Sequence, residues 1–178
     1  MNWIQTFSGR RFDLRAPRPE DVNIIDIAYS LSMICRFGGH CRFHYSVAQH
    51  SVLVSRQVAR EDAFAALLHD AAEAYVGDMV SPLKRLIDGF ETIEKAVREV
   101  IALRFSIPSE MSSTVKRADL ALLAAEREQV MGPCKADWTL TVPAAKVRIE
   151  PMTSNEAREA FCREFYALEG RQLAGERS

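Results

Sequence analysis

An all-α bundle with a short β-hairpin at its N-terminus is the fold this sequence predicts, on three observations. Apolar residues recur at threes and fours from Ile24 to Val130, the period of helices with one buried face. Gly and Pro fall between those stripes, at Gly38-Gly39, Gly77, Pro108 and Gly132-Pro133, where helices end. The stretch from Trp3 to Leu14 instead alternates around the turn-forming pair Ser8-Gly9, the pattern of two paired strands.

Each element follows in chain order. Trp3–Phe7 and Arg10–Leu14 flank the turn, and Arg15-Ala16-Pro17-Arg18-Pro19 is a stiff connector. Pro19 suits the first turn of a helix. Ile24, Ile27, Ala28, Leu31 and Ile34 then form one stripe that Gly38-Gly39 closes. Val47, Val54 and Val58 mark a second helix. Phe64, Ala65, Leu68, Ala72 and Tyr75 mark a third, running to Gly77. Ile93, Val97, Val100, Ile101 and Phe105 line a long fourth, and Val115, Leu122, Leu123 and Val130 a fifth. Trp138 to Ile149 is irregular, either a loop or a short strand pair. Thr153 or Ser154 caps a last helix carrying Ala157, Phe161, Phe165 and Leu168. Residues 174–178 are expected to fray.

Composition narrows the function classes. The 178 residues suit a single domain with a core over 20–132 and a C-terminal segment, 133–178, packing on it. A hydrophobic fraction of 48% with 26% charged residues excludes a disordered or fibrous chain. With 23 basic and 24 acidic residues, the net charge of -1 gives no general attraction to a nucleic acid polymer or a membrane surface. No apolar run of signal-peptide or membrane-spanning length is visible, so a cytoplasmic location is expected. Cys35, Cys41, Cys134 and Cys162 form no C-x-x-C pair, and are read as small buried or half-buried thiols.

Function is signalled where polar residues break the apolar stripes. His69-Asp70 interrupts Ala65-Ala66-Leu67-Leu68 and Ala71-Ala72, and Glu73 follows one turn on. Burying three such groups without a partner would cost several kcal/mol, which a bound cation offsets. His50 interrupts the second helix and Asp119 the fifth in the same way. Taken singly, a helical His is more often a satisfied core or surface residue, and an Asp an exposed charge. Together, two His and two Asp make a donor set suited to Mn, Fe, Co, Zn or Mg, and facing helices are where such sites are built.

At His50…His69-Asp70…Asp119 the chain resembles the HD-domain superfamily of metal-dependent phosphohydrolases, whose pattern is H…HD…D on a helical bundle. Leu67-Leu68-His69-Asp70-Ala71-Ala72-Glu73 and Gly77-Asp78-Met79-Val80-Ser81-Pro82-Leu83-Lys84 extend the match. In this form it looks like the small bacterial and phage branch that includes 5'-deoxynucleotidases and deoxynucleoside triphosphate triphosphohydrolases. The resemblance spans roughly residues 24–130, and it implies a single HD-type domain.

The resemblance further implies that His50, His69, Asp70 and Asp119 hold one divalent metal ion, with a second left open. Glu73 and Asp78 match the acidic pair that orients and deprotonates water. Arg36 matches the arginine that grips phosphate, and Lys84 and Lys116 match further phosphate-binding cations. His40 and His44 lie near the site in sequence, and His44 is a second candidate for the first ligand, with the His50-Ser51 context favouring His50. The expected function is hydrolysis of a nucleotide, foremost phosphate release from 5'-deoxynucleoside monophosphates by a homo-oligomer, a dimer or larger. Tripolyphosphate release from triphosphates is the alternative in the same class. A metal-retaining nucleotide sensor is the alternative of another class, and a di-iron oxygenase would need His40 and His44 as extra ligands.

Overall fold

The computed structural model describes residues 1–136 and 138–175, with side chains as far as residue 170. Residues 176–178, where fraying was expected, lie outside the described residues.

The N-terminal pattern forms the hairpin it predicts. Strands β1 (Trp3–Gln5) and β2 (Arg11–Asp13) pair antiparallel, with Ile4 opposite Phe12. The pleat sends Phe12 inward, where it is fully buried and stacked on Tyr75 at 3.9 Å between ring centroids. The hairpin tip is tied to the bundle by Asp26, whose carboxylate accepts from the Ser8 N–H at 2.6 Å and the Ser8 hydroxyl at 2.8 Å.

Pro19 begins a single 3-10 turn, Pro19–Asp21, rather than the first long helix. Val22 and Asn23 are extended, and the Asn23 side chain caps helix α1 (Ile24–Met33) by accepting from the Ile25 N–H at 2.8 Å. Helix α1 stops at Ile34, ahead of Gly38-Gly39. The chain there turns into antiparallel bridging: Arg36 donates to the Tyr45 carbonyl at 2.9 Å and Val47 to the Ile34 carbonyl at 3.1 Å. Helix α2 (Val47–Ser55) follows, capped by Ser46, and ends before Val58.

The third helix is the main departure from the apolar stripe. It is broken into α3 (Ala63–Leu67) and α4 (Glu73–Val76), with turns between. There the backbone bonds close over three residues: Ala71 to Leu68 at 3.0 Å, Glu73 to Asp70 at 3.0 Å, Tyr75 to Ala72 at 3.0 Å. The Ala66 carbonyl accepts the His69 Nδ1–H at 2.7 Å. The imidazole thus takes a bond that a continuous helix would give to its own backbone.

Helices α5 (Ser81–Lys84), α6 (Phe90–Phe105) and α7 (Ser113–Gln129) complete the middle of the chain. Between Val130 and Thr153 there is neither helix nor strand among the described residues. This segment is pinned to α7 by Ala145 donating to the Ala121 carbonyl at 2.8 Å, and by Gln129, whose side chain meets the Val147 carbonyl and the Ile149 N–H. Thr153 then makes a reciprocal capping box with Glu156 and starts α8 (Ser154–Gly175).

Helix α8 packs against α1, α2 and α3. Phe161 and Phe165 are buried beside Ile27, Leu31, Phe64 and Phe105, so the C-terminal segment is part of the main core. A second apolar cluster joins α2 and α3 to α7 through Val54, Ala66, Val115, Ala118, Leu122 and Ala125. The polar residues of interest sit where α2, the 68–72 turn and α7 meet. No helix among the described residues is long and apolar enough to cross a membrane.

Candidate metal centre

His50 enters from the middle of α2, fully buried. His69 and Asp70 come from the tight turn after α3, and Asp119 from the second turn of α7. His50, His69 and Asp119 each offer one ligand atom, all within 4.8 Å of one another. The two Nε2 atoms are 3.3 Å apart, and Asp119 Oδ1 lies 3.2 Å from that of His50 and 3.9 Å from that of His69. Asp70 Oδ2 joins them at 3.1 Å from His69 Nε2 and 3.5 Å from His50 Nε2. The four predicted ligands therefore converge from three elements.

Both rings are held from behind. His50 Nδ1 is 2.6 Å from Glu126 Oε1, and His69 Nδ1 is 2.7 Å from the Ala66 carbonyl. A ring nitrogen that donates to an oxygen leaves the other nitrogen as the ligand atom, and metal-binding imidazoles are oriented in this way. With both Nε2 atoms and two carboxylates facing one point, the donor set fits a divalent cation.

Sequence reasoning missed Glu126. It is fully buried and holds a network of its own. Besides His50 it accepts from the Tyr45 hydroxyl at 2.7 Å, and its Oε2 pairs with Arg36 at 3.2 Å. The signal available was its spacing, seven residues after Asp119 on the same helix face.

Charge settles accordingly. Burial alone would raise the Glu126 carboxyl, but Arg36, His50 and Tyr45 outweigh it and hold the group at about 2. Burial and Arg36 work against charge on His50, yet Glu126 and Asp119 prevail and push it up to about 9. Burial also opposes charge on Asp70, but the two imidazoles and Arg36 keep it well below the usual carboxylate range.

Beside this cluster opens a cleft of about 750 Å³. Asp70 and Asp119 line it, as do Arg36, Glu73, Asp78 and Lys84. Arg36 is buried and also lies 3.5 Å from Asp70 Oδ2. Glu73 is buried, and burial together with the charges of Asp70 and Asp78 raises its carboxyl well above the usual value. Among the described residues its Oε2 has no hydrogen-bond partner. Asp78 is also raised, chiefly by burial and by Asp70. Lys84 sits 2.6 Å from Glu94 and 3.8 Å from Glu73. Lys116 is exposed and does not line the cleft. His40 lines it, whereas His44 turns away to the Ser32 carbonyl at 3.1 Å.

With this geometry in hand, the similarity to known proteins covers nearly the whole chain. It is 42% identical over 171 residues to the uncharacterized protein YfdR of Escherichia coli, spanning 94% of this chain and 96% of that one. It is 34% identical over 188 residues to the uncharacterized protein RCAP_rcc00048 of Rhodobacter capsulatus, spanning 93% and 95%. The chain belongs to the family of these two proteins. No family model matches it.

Proposed function

We propose that this protein is an HD-type, metal-dependent phosphohydrolase that releases phosphate from nucleotides, foremost 5'-deoxynucleoside monophosphates. The observation that carries the reading is the pair of back-anchored imidazoles, His50 and His69, facing Asp70 and Asp119 at the edge of a cleft lined by Arg36 and Lys84. When bound, a divalent cation there supplies activation of water and offsets charge on the phosphoryl oxygens.

The chain's own residues supply the rest. Arg36, fixed by Glu126 and Asp70, presents a charge that does not need to be reoriented when a phosphate arrives. Glu73 keeps a proton on its buried carboxyl and delivers it to the leaving ester oxygen. Asp78, less perturbed and half-buried, takes the proton of the attacking water. Lys84 holds Glu73 and Glu94 in place and turns a charge toward the cleft.

Of the three expected phosphate cations, Arg36 and Lys84 line the cleft and Lys116 does not. That favours a single phosphate over a triphosphate chain. The Glu73 Oε2, without a partner among the described residues, favours catalysis over a sensor that merely retains metal. The four cysteines are all free, which agrees with a cytoplasmic enzyme.

The test is a panel of deoxynucleoside mono- and triphosphates incubated with Mn, Co, Mg or Zn, with products separated by ion chromatography. Inorganic phosphate from the monophosphates is expected, and Asp70→Asn and His69→Ala abolish it while far-UV circular dichroism stays unchanged. Wild-type turnover in either variant refutes the assignment.

A further inference from the structure

The cleft has two chemically different ends. Beside the candidate metal centre, Glu73, Asp78 and Lys84 share the lining with Met79, Val80 and Pro82; the residues Phe37, Trp138, Leu140, Leu123 and Met131, all half-buried, line it without any charge of their own. Successive contacts join the ends: Asp70 to Arg36 at 3.5 Å, the Arg36 guanidinium to the Phe37 ring at 5.2 Å, and Phe37 to the Trp138 ring at 6.2 Å.

Both aromatic residues are held in place. Phe37 has φ 56 and is followed by Gly38 at φ 60 and Gly39 at φ 82. A left-handed conformation is unfavourable for a side chain as large as Phe, and it persists only where the surroundings impose it. Trp138 rides on the segment pinned to α7. Arg127 donates to the Ala136 carbonyl at 2.8 Å and stands 5.7 Å over the indole ring.

We infer that Phe37 and Trp138 form a seat for a flat aromatic ring, so that the cleft takes a nucleobase at this end while the phosphate lies at Arg36 and the metal centre. The inference rests on the phosphohydrolase reading for the phosphate end and adds the base end to it. Charge complementarity identifies the occupant: the ligand must carry an anion at one end and an apolar, stackable face at the other. A sugar phosphate or a small phosphomonoester satisfies only the first condition. Stacking tolerates any base, because every base presents a π-face. The seat therefore selects for the presence of a base, with little preference among bases.

The test begins with deoxyadenosine, which carries no phosphate and cannot be hydrolysed. In a Trp3→Phe background, Trp138 is the one remaining tryptophan, and its fluorescence is expected to be quenched saturably by the nucleoside. By calorimetry, Trp138→Ala is expected to weaken nucleoside binding by roughly ten- to hundredfold, and Trp138→Phe to restore most of it. Kinetics supply the second arm. Wild-type kcat/KM for deoxyadenosine monophosphate should exceed that for deoxyribose 5-phosphate by a similar factor, and Trp138→Ala should erase the difference.

The outcomes separate the two ideas. Nucleoside binding without phosphate release from any nucleotide sinks the phosphohydrolase reading and leaves the seat standing. Phosphate release with equal kcat/KM for both substrates, or a Trp138→Ala variant that keeps the preference, overturns the seat alone. Fluorescence that follows protein concentration and ignores the nucleoside also overturns it, by showing a second copy on this surface.

Discussion

Replacing Glu126 by Gln isolates the buried support of the metal centre. Glu126 Oε1 meets both His50 Nδ1 and the Tyr45 hydroxyl, and Oε2 meets Arg36. A Gln carbonyl in the Oε1 position still accepts from both of the first two, now without charge. Its NH2 then points at the Arg36 guanidinium, donor against donor. Leaving a buried charge unpaired costs about 3–5 kcal/mol, but Arg36 keeps Asp70 at 3.5 Å, so a loss of about 2–3 kcal/mol in stability is expected. Metal affinity carries the sharper signature. Changes to groups behind a metal-bound His lower affinity about 10- to 100-fold. In the wild type, however, a proton on His50 competes with the metal below pH about 9, by about tenfold per pH unit. Without the Glu126 charge the imidazole gives up that proton more readily. Isothermal titration with Mn from pH 6.5 to 9.5 should therefore show the variant weakest relative to wild type at high pH, with the two curves converging as pH falls. Parallel curves, or equal affinities at pH 9.5 with both proteins folded, would refute the role given to Glu126.

Other expectations test separate links. In the metal-free protein His50 titrates at about 9 against an ordinary 6.5. The stabilisation it contributes, of the order of 3 kcal/mol, is complete below pH 6.5 and disappears as pH rises through 9; thermal melts of chelator-treated protein should show Tm falling over that range. Glu73→Gln should lower kcat by about two to four orders of magnitude with little change in KM, measured as phosphate release; a mainly altered KM would place Glu73 in binding instead. Phe12→Ala removes a fully buried ring stacked on Tyr75 and should cost about 3–5 kcal/mol in urea unfolding. Thr153→Ala dissolves the capping box of α8 and should cost about 1 kcal/mol, lowering Tm by about 2–4 °C in a chain of this size.

What the sequence made legible was each polar residue that interrupts an apolar stripe. His50 among valines, His69-Asp70 among alanines and leucines, and Asp119 before Leu120 announce themselves because burying them needs a reason. Glu126 did not, although it is as buried as His50. It stands in Ala124-Ala125-Glu126-Arg127-Glu128, where neighbouring charges make it look solvated and mask its seven-residue spacing from Asp119, and the packing of α7 against α2 shows that it faces inward. The hairpin and the long helices were legible from period alone, while the aromatic end of the cleft was not. Trp138 lies in a segment with no period to read, and it is placed by contacts with Arg127 and Phe37 that are distant in mechanism from any local propensity.

The break in the third helix was hidden for a stronger reason. Ala63 to Tyr75 is rich in Ala and Leu, among the best helix formers, and nothing local forbids a continuous helix. What overrides propensity is the His69 ring taking the Ala66 carbonyl, after which the backbone closes over three residues. On a regular α-helix Asp70 and Glu73 would sit about 60° apart around the axis; three-residue closure brings positions i and i+3 into line. The same change that aims the His69 Nε2 at the candidate metal centre thus stacks Glu73 beside Asp70, and that proximity adds the Asp70 charge to burial in raising the Glu73 carboxyl. One side-chain-to-backbone bond, from a residue expected as a ligand, thus accounts for the lost helix and for the Asp70 charge that adds to burial at Glu73.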